Sequence, residues 1–108
     1  MPIAMFSHGD LPAGFATKTR FFKIERRAGA VVLIDMTCPH RGGPLTHGTC
    51  DAERIVCPWH GTRLSRRKME QRTQPTITTS DGVMFVLDSA IARVFRTIPV
   101  DSHWRETK

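Results

Sequence analysis

Two short segments, each pairing a cysteine with a histidine, constrain this chain more than any other feature. The first reads C-P-H at residues 38–40 and the second reads C-P-W-H at residues 57–60, with sixteen residues between them. Each segment places one thiol and one imidazole on a tight turn. Four such ligands converging from two loops can hold zinc in a tetrahedral site, or iron. The ligand types alone leave both metals open, so the neighbouring residues must decide.

Glycine and proline around these ligands favour an iron–sulfur cluster over zinc. The loops read C-P-H-R-G-G-P-L from residue 38 and C-P-W-H-G from residue 57. Gly42, Gly43 and Gly61 let the backbone approach inorganic sulfide closely and offer N–H donors without a side-chain clash. These boxes resemble the cluster-binding boxes of Rieske iron–sulfur domains. The resemblance is specific over residues 38–61 and fainter from about residue 20 to residue 98.

The resemblance implies one Rieske-type 2Fe–2S cluster and assigns its ligands. In that family two cysteines hold one iron and two histidines hold the other. The cofactor-binding and metal-binding residues are therefore expected to be Cys38, His40, Cys57 and His60. The implied activity is electron transfer, and the imidazoles of His40 and His60 would serve both as ligands and as the exit route for the electron.

The hydrophobic pattern predicts an all-β chain. Residues 20–27 and 30–36 are β-rich runs on either side of Ala28-Gly29, which predicts a hairpin. Short strands are also predicted at 53–57, 76–78, 82–88 and 92–100, with a turn at 80–82, whereas 7–14 and most of 62–75 are predicted as loops. No stretch shows a sustained 3.6-residue apolar period. We therefore expect one domain over residues 1–108, a small antiparallel Rieske-like sandwich or barrel whose tip holds the cluster between two loops.

The residues beside the ligands predict a low reduction potential. High-potential Rieske proteins tie the two loops together with a disulfide, and the matching positions in this chain are Gly43 and Trp59. They also carry a serine and a tyrosine that donate hydrogen bonds to sulfur. Here those positions are Thr62, which keeps a hydroxyl, and Leu64, which cannot donate.

These observations favour an electron carrier rather than an enzyme. A Rieske oxygenase also needs a mononuclear iron bound by two histidines and a carboxylate in a separate domain, for which 108 residues leave no room. We expect a Rieske-type ferredoxin that passes electrons from a flavin-dependent reductase to a terminal oxygenase or a similar acceptor. One alternative is a non-catalytic Rieske subunit dedicated to one oxygenase, because both boxes look more like oxygenase domains than like typical ferredoxins. The alternative from another class is a zinc-stabilised interaction module.

Charge and hydropathy indicate where the chain works and what it meets. The sequence has neither an apolar run long enough to span a bilayer nor a secretory signal, so we expect a cytoplasmic protein without a membrane partner. Its net charge of +6 suits an acidic redox partner better than nucleic acid. Five of the cations fall within residues 63–72, which form either a solvated loop or a docking patch.

The remaining cysteine and histidines are expected to lie outside the metal site. Cys50 is interpreted as a packed thiol rather than a redox switch. His8, His47 and His103 are scattered along the chain and are interpreted as ordinary surface or packed residues.

Overall fold

The structure is a computed structural model that describes residues 2–39, 42–59 and 61–98. Within these residues it contains eleven short strands and one short α-helix. The strands are β1 Ile3–Ser7, β2 Gly14–Ala16, β3 Phe21–Arg27, β4 Ala30–Asp35, β5 Thr49–Cys50, β6 Arg54–Val56, β7 Arg63–Ser65, β8 Thr73–Gln74, β9 Thr76–Thr78, β10 Gly82–Val86 and β11 Arg93–Phe95, and the helix is α1 Arg66–Glu70. The predicted all-β antiparallel class is confirmed.

The strands form three antiparallel sheets. The outer sheet has the order β1-β10-β9, the central sheet β11-β2-β3-β4-β8, and the small sheet β5-β6-β7. The predicted hairpin is the β3–β4 pair, in which Arg27 is opposite Ala30. Ala28 and Gly29 connect the strands with φ angles of 48° and 82°, the left-handed conformation that a two-residue hairpin turn requires.

The core consists of two apolar clusters, one on each face of the central sheet. Phe15, Phe22 and Leu33 pack against Val83 and Phe85 of the outer sheet. On the opposite face, a second cluster joins the central sheet to the small sheet and to α1. Its members include Ile34, Met36, Leu45, Ile55 and Met69. Both predicted ligand cysteines belong to this second cluster, so the core itself supports the site.

The structure corrects the sequence prediction in three places. Residues 62–75 were expected to form a loop with one strand at its start, but β7 is followed by α1 and then by β8. Strands β1, β2 and β5 were not predicted. In the segment 7–14, which was predicted as a loop, His8–Asp10 forms a turn of 3₁₀ helix. Among the described residues, no helix has the length and apolar character that a membrane span requires.

Candidate metal centre

Each of the two cysteines lies shortly after a strand, where the chain enters a loop. Cys38 follows β4 by three residues, and the backbone there is pinned by an isolated bridge between Thr37 and Pro44. Cys57 follows β6 directly, and β7 returns from the loop at Arg63. Each cysteine therefore stands where a strand gives way to a loop, with a paired strand or bridge behind it.

Both loops close in the same way. The amide of Cys38 donates to the carbonyl of Gly43 at 2.8 Å, and the carbonyl of Cys38 accepts from the amide of Gly42 at 2.8 Å. In the second loop, the amide of Cys57 donates to the carbonyl of Thr62 and its carbonyl accepts from the amide of Gly61, both at 2.9 Å. Each cysteine thus forms the neck of a six-residue ring.

The fourth residue after each cysteine has a left-handed backbone conformation, which favours glycine at that position. Gly42 has a φ of 74° and Gly61 a φ of 70°. Residues with a side chain adopt this left-handed region at a cost of about 1–2 kcal/mol, whereas glycine adopts it readily. The sequence analysis assigned these glycines to close approach toward sulfide, and the structure adds a second reason for them in the turn itself.

The two loops meet at the thiols. Cys38 is 2% exposed and Cys57 is 1% exposed, so both side chains are shielded from solvent, unlike an ordinary surface thiol. A Cβ atom placed on Gly43 would lie 2.6 Å from the Sγ of Cys57, closer than real side chains approach. The backbone of the first loop therefore lies directly against the thiol of the second loop, and only glycine leaves room for it.

Two of the four predicted ligands, His40 and His60, lie outside the described residues, as does Arg41. Within residues 2–39, 42–59 and 61–98, no group of three potential metal-binding side chains converges, and this part of the chain holds only the cysteine half of the predicted set. The assignment of all four residues as ligands stays a prediction.

A buried ion network holds the backbone immediately before Cys38. The carboxylate of Asp35, which is 3% exposed, accepts from Arg20 at 2.6 Å and lies 3.4 Å from the guanidinium of Arg72. It also accepts from the amide of Thr37 at 2.9 Å, and Arg72 donates to the carbonyl of Thr37 at 2.9 Å. Because both polar groups of Thr37 are held, the entry to the first loop is fixed in position. Sequence reasoning missed this network, since its members are far apart in the chain.

The basic run at 63–72 divides into structural and exposed cations. Arg66 forms an ion pair with Glu70 at 3.1 Å and donates to the carbonyl of Asp51 at 3.2 Å, so it anchors α1 to the small sheet. It is therefore a structural residue and not a docking charge. The exposed cations of the run are Arg63, Arg67 and Lys68.

The other cysteine and the described histidines have structural surroundings. Cys50 is buried in the same apolar cluster as the two predicted ligand cysteines. The ring of His8 hydrogen-bonds the carbonyl of Thr79 at 2.7 Å. His47 packs edge-on against Phe95 with ring centroids 4.8 Å apart, and burial, together with the charge of Arg93, lowers its pKa. His103 lies outside the described residues.

Comparison with known families adds the decisive observation. The sequence model of the Rieske [2Fe-2S] domain matches residues 3–89, which is most of the chain. The chain belongs to the Rieske domain family. Searches of curated proteins and of solved structures give no significant match. A Rieske domain binds a 2Fe–2S cluster and carries electrons, so this is an electron-transfer iron–sulfur protein.

The residues present fit this Rieske cluster. Cys38 and Cys57 offer two buried thiols from loops in direct contact, and thiolates are the ligands that iron–sulfur clusters require. Gly43 leaves space beside a sulfur that any side chain would fill. The family match decides between the two metals that the ligand types alone left open, in favour of the cluster.

Proposed function

We propose that this Rieske protein is a ferredoxin that passes single electrons from a flavin-dependent reductase to a terminal oxygenase or a similar acceptor. The observation that carries the proposal is the pair of buried cysteines, Cys38 and Cys57, at the necks of two matching loops. Together with His40 and His60, which complete the family pattern in the sequence, they would hold one 2Fe–2S cluster. When bound, the cluster supplies a site that accepts and returns one electron.

The chain's own residues would prepare that site in three ways. The apolar cluster around Cys38 and Cys57 keeps water away from both sulfurs. The ion network through Asp35 and Arg72 fixes the entry to the first loop, so little rearrangement would accompany a change of charge at the site. The closure of the second loop at Thr62 does the same on the other side.

A second candidate function is a non-catalytic Rieske subunit dedicated to one oxygenase. The observation that favours it is the sequence of the two boxes, C-P-H-R-G and C-P-W-H-G, which look more like those of oxygenase domains than like those of typical ferredoxins. A dedicated subunit would co-purify with its enzyme at physiological salt, whereas a ferredoxin would be isolated alone and would serve repeated cycles of reduction and oxidation.

The proposal predicts the composition and the electron capacity of the protein. Protein produced with ample iron should contain two iron and two acid-labile sulfide per chain, because two thiolates and two imidazoles complete one 2Fe–2S cluster. An anaerobic titration with dithionite should take up one electron per chain and should be reversed by air. Protein with one zinc, no sulfide and no reversible bleaching would contradict both the ligand set and the carrier function.

We also predict a reduction potential nearer to about −150 mV than to about +300 mV, the two ends of the Rieske range. The three cysteines form no disulfide, and Leu64 packs against the apolar cluster where a hydrogen-bond donor would raise the potential. Protein-film voltammetry at neutral pH measures it directly. Thr62→Ala should lower the potential further if the hydroxyl donates to sulfur, while Thr49→Ala, at an exposed position of β5, should leave it unchanged. A clearly positive potential in the wild-type protein would overturn this assignment.

A further inference from the structure

The outer face of the small sheet carries two arginines beside the metal centre. Thr49, Val56 and Arg63 are opposite one another in the register and so share one face of the sheet. Arg54 precedes Val56 by two residues and therefore projects from the same face. Both arginines are exposed. Arg63 is the cross-strand partner of the residue immediately before Cys57, which places it at the edge of the metal centre.

Between these arginines lies a cleft of about 250 Å³, lined by Thr49, Cys50, Asp51, Arg54, Val56 and Arg63. The carboxylate of Asp51 accepts from the backbone amides of Glu53 and Arg54 at 2.8 Å each, and these bonds lower its pKa. The charges of Arg54 and Arg63 lower it further. The carboxylate of Asp51 is thus held by hydrogen bonds within its own turn. Because two arginines and one aspartate line the cleft, its net charge is positive.

An exposed aromatic residue lies in the loop that joins β6 to β7, the two strands that carry these arginines. Trp59 is 57% exposed although it is two residues from the buried Cys57. A Cβ on Gly43 would lie 3.4 Å from the Trp59 ring, so the indole is supported by the first loop and presents its remaining surface outward. Tryptophan and arginine are the residues that most often dominate the energy of protein interfaces. We call Trp59, Arg63 and Arg54 the docking strip.

We propose that the docking strip binds the redox partner, a protein with an acidic surface around an apolar pocket. A partner carboxylate enters the cleft between Arg54 and Arg63, where guanidinium groups match its geometry. Trp59 fills the apolar pocket and brings the partner next to the metal centre. This inference rests on the proposed carrier function. It identifies which of the many cations of a chain with net charge +6 act in recognition.

The chain offers a matched control. Arg67 and Lys68 are also exposed, but they lie on α1, and neither lines the cleft between Arg54 and Arg63. The double variants R54Q/R63Q and R67Q/K68Q remove the same charge, one inside and one outside the docking strip.

The test uses the holoprotein and a reduced plant-type ferredoxin of acidic surface as the electron donor, whose potential of about −400 mV drives the transfer. Stopped-flow rates at low salt should fall about tenfold in R54Q/R63Q and less than about twofold in R67Q/K68Q. The difference should vanish at about 0.5 M salt, where charges are screened within a few ångströms. Trp59→Ala should slow transfer about tenfold at both salt concentrations, and Trp59→Phe should slow it less.

Three results would count against the strip. Equal slowing in both double variants would show that only total charge matters. An unchanged transfer rate in Trp59→Ala with an unaltered visible spectrum would show that Trp59 does not anchor the partner. Failure of the wild-type protein to oxidise the acidic donor, while a small neutral mediator still reduces it, would refute an acidic partner but leave the carrier function intact. Failure with the neutral mediator as well would instead contradict the proposed function.

Discussion

Replacing either Cys38 or Cys57 by serine should abolish cluster assembly and leave a poorly folded chain. Both thiols are almost completely buried within one apolar cluster that joins the central sheet to the small sheet. A serine hydroxyl is a poor ligand for iron, and the metal link between the loops would be lost with it. Because ligand loops fold together with their metal, we expect the loss of visible absorbance to be accompanied by a large fall in melting temperature.

Cys50→Ser is the matched control for this experiment. Cys50 is buried in the same cluster and also follows a glycine-containing turn, but it is not a predicted ligand. Its replacement places a hydroxyl in an apolar site and should cost about 1–2 kcal/mol of stability while the visible spectrum stays normal. If Cys38→Ser or Cys57→Ser also kept a normal spectrum, the ligand assignment would be wrong. Circular dichroism and absorption measured on the same samples distinguish the two effects.

Gly43→Ala should displace the thiol of Cys57, a predicted ligand, without replacing any of the four predicted ligands. The new Cβ would lie 2.6 Å from the Sγ of Cys57, whereas non-bonded heavy atoms pack at about 3.5–4.0 Å. Either the Cβ or the sulfur must therefore move by about 1 Å. The Trp59 ring, 3.4 Å away on another side, limits the movement of the backbone. Metal–ligand distances tolerate only about 0.2 Å, so we expect the purified variant to contain little cluster.

Gly42→Ala separates this clash from backbone strain. Among the described residues other than its chain neighbours, no atom lies within 4 Å of a Cβ placed at Gly42, but its φ of 74° is unfavourable for alanine. This variant should retain the cluster and lose about 1–2 kcal/mol of stability. Iron and sulfide analysis of both variants, with thermal melts, tests the pair. A Gly43→Ala protein with full cluster content would show that the contact between the loops does not constrain the sulfur.

The family and the fold class were predictable from the sequence, whereas several elements of the scaffold were not. The hairpin β3–β4 was predicted because its strands are rich in β-branched and aromatic residues and flank a glycine. Helix α1 was missed because five residues are too short to show a helical period, and only Met69 is buried. Its signals are local: Ser65 accepts from the amide of Lys68 as an N-cap, and Arg66 pairs with Glu70 four residues later.

The support of the site depends on contacts that no local pattern reveals. The spacing of the cysteines was visible in the sequence, but the approach of Gly43 to Cys57 and the bond from Arg72 to Thr37 join residues 14 and 35 positions apart. Strand β1 likewise pairs with β10, which is far along the chain, and β2 pairs with the distant β11 as well as with the neighbouring β3. Such contacts exist only once the three sheets are assembled.

The two loops close through the same pair of backbone hydrogen bonds, and this bears on how the spacing between cysteine and histidine is interpreted. The histidine is the third residue of the first ring and the fourth of the second, yet both rings contain six residues and close through the same two backbone bonds. The repeated unit is therefore cysteine, proline, two variable residues and glycine, in Cys38–Gly42 as in Cys57–Gly61. The two boxes differ in the position of the histidine, which follows the cysteine by two residues in the first and by three in the second. Because both rings have the same size, this difference requires no insertion or deletion. An alignment of the two loops should be anchored on cysteine and glycine, with the histidine left to vary.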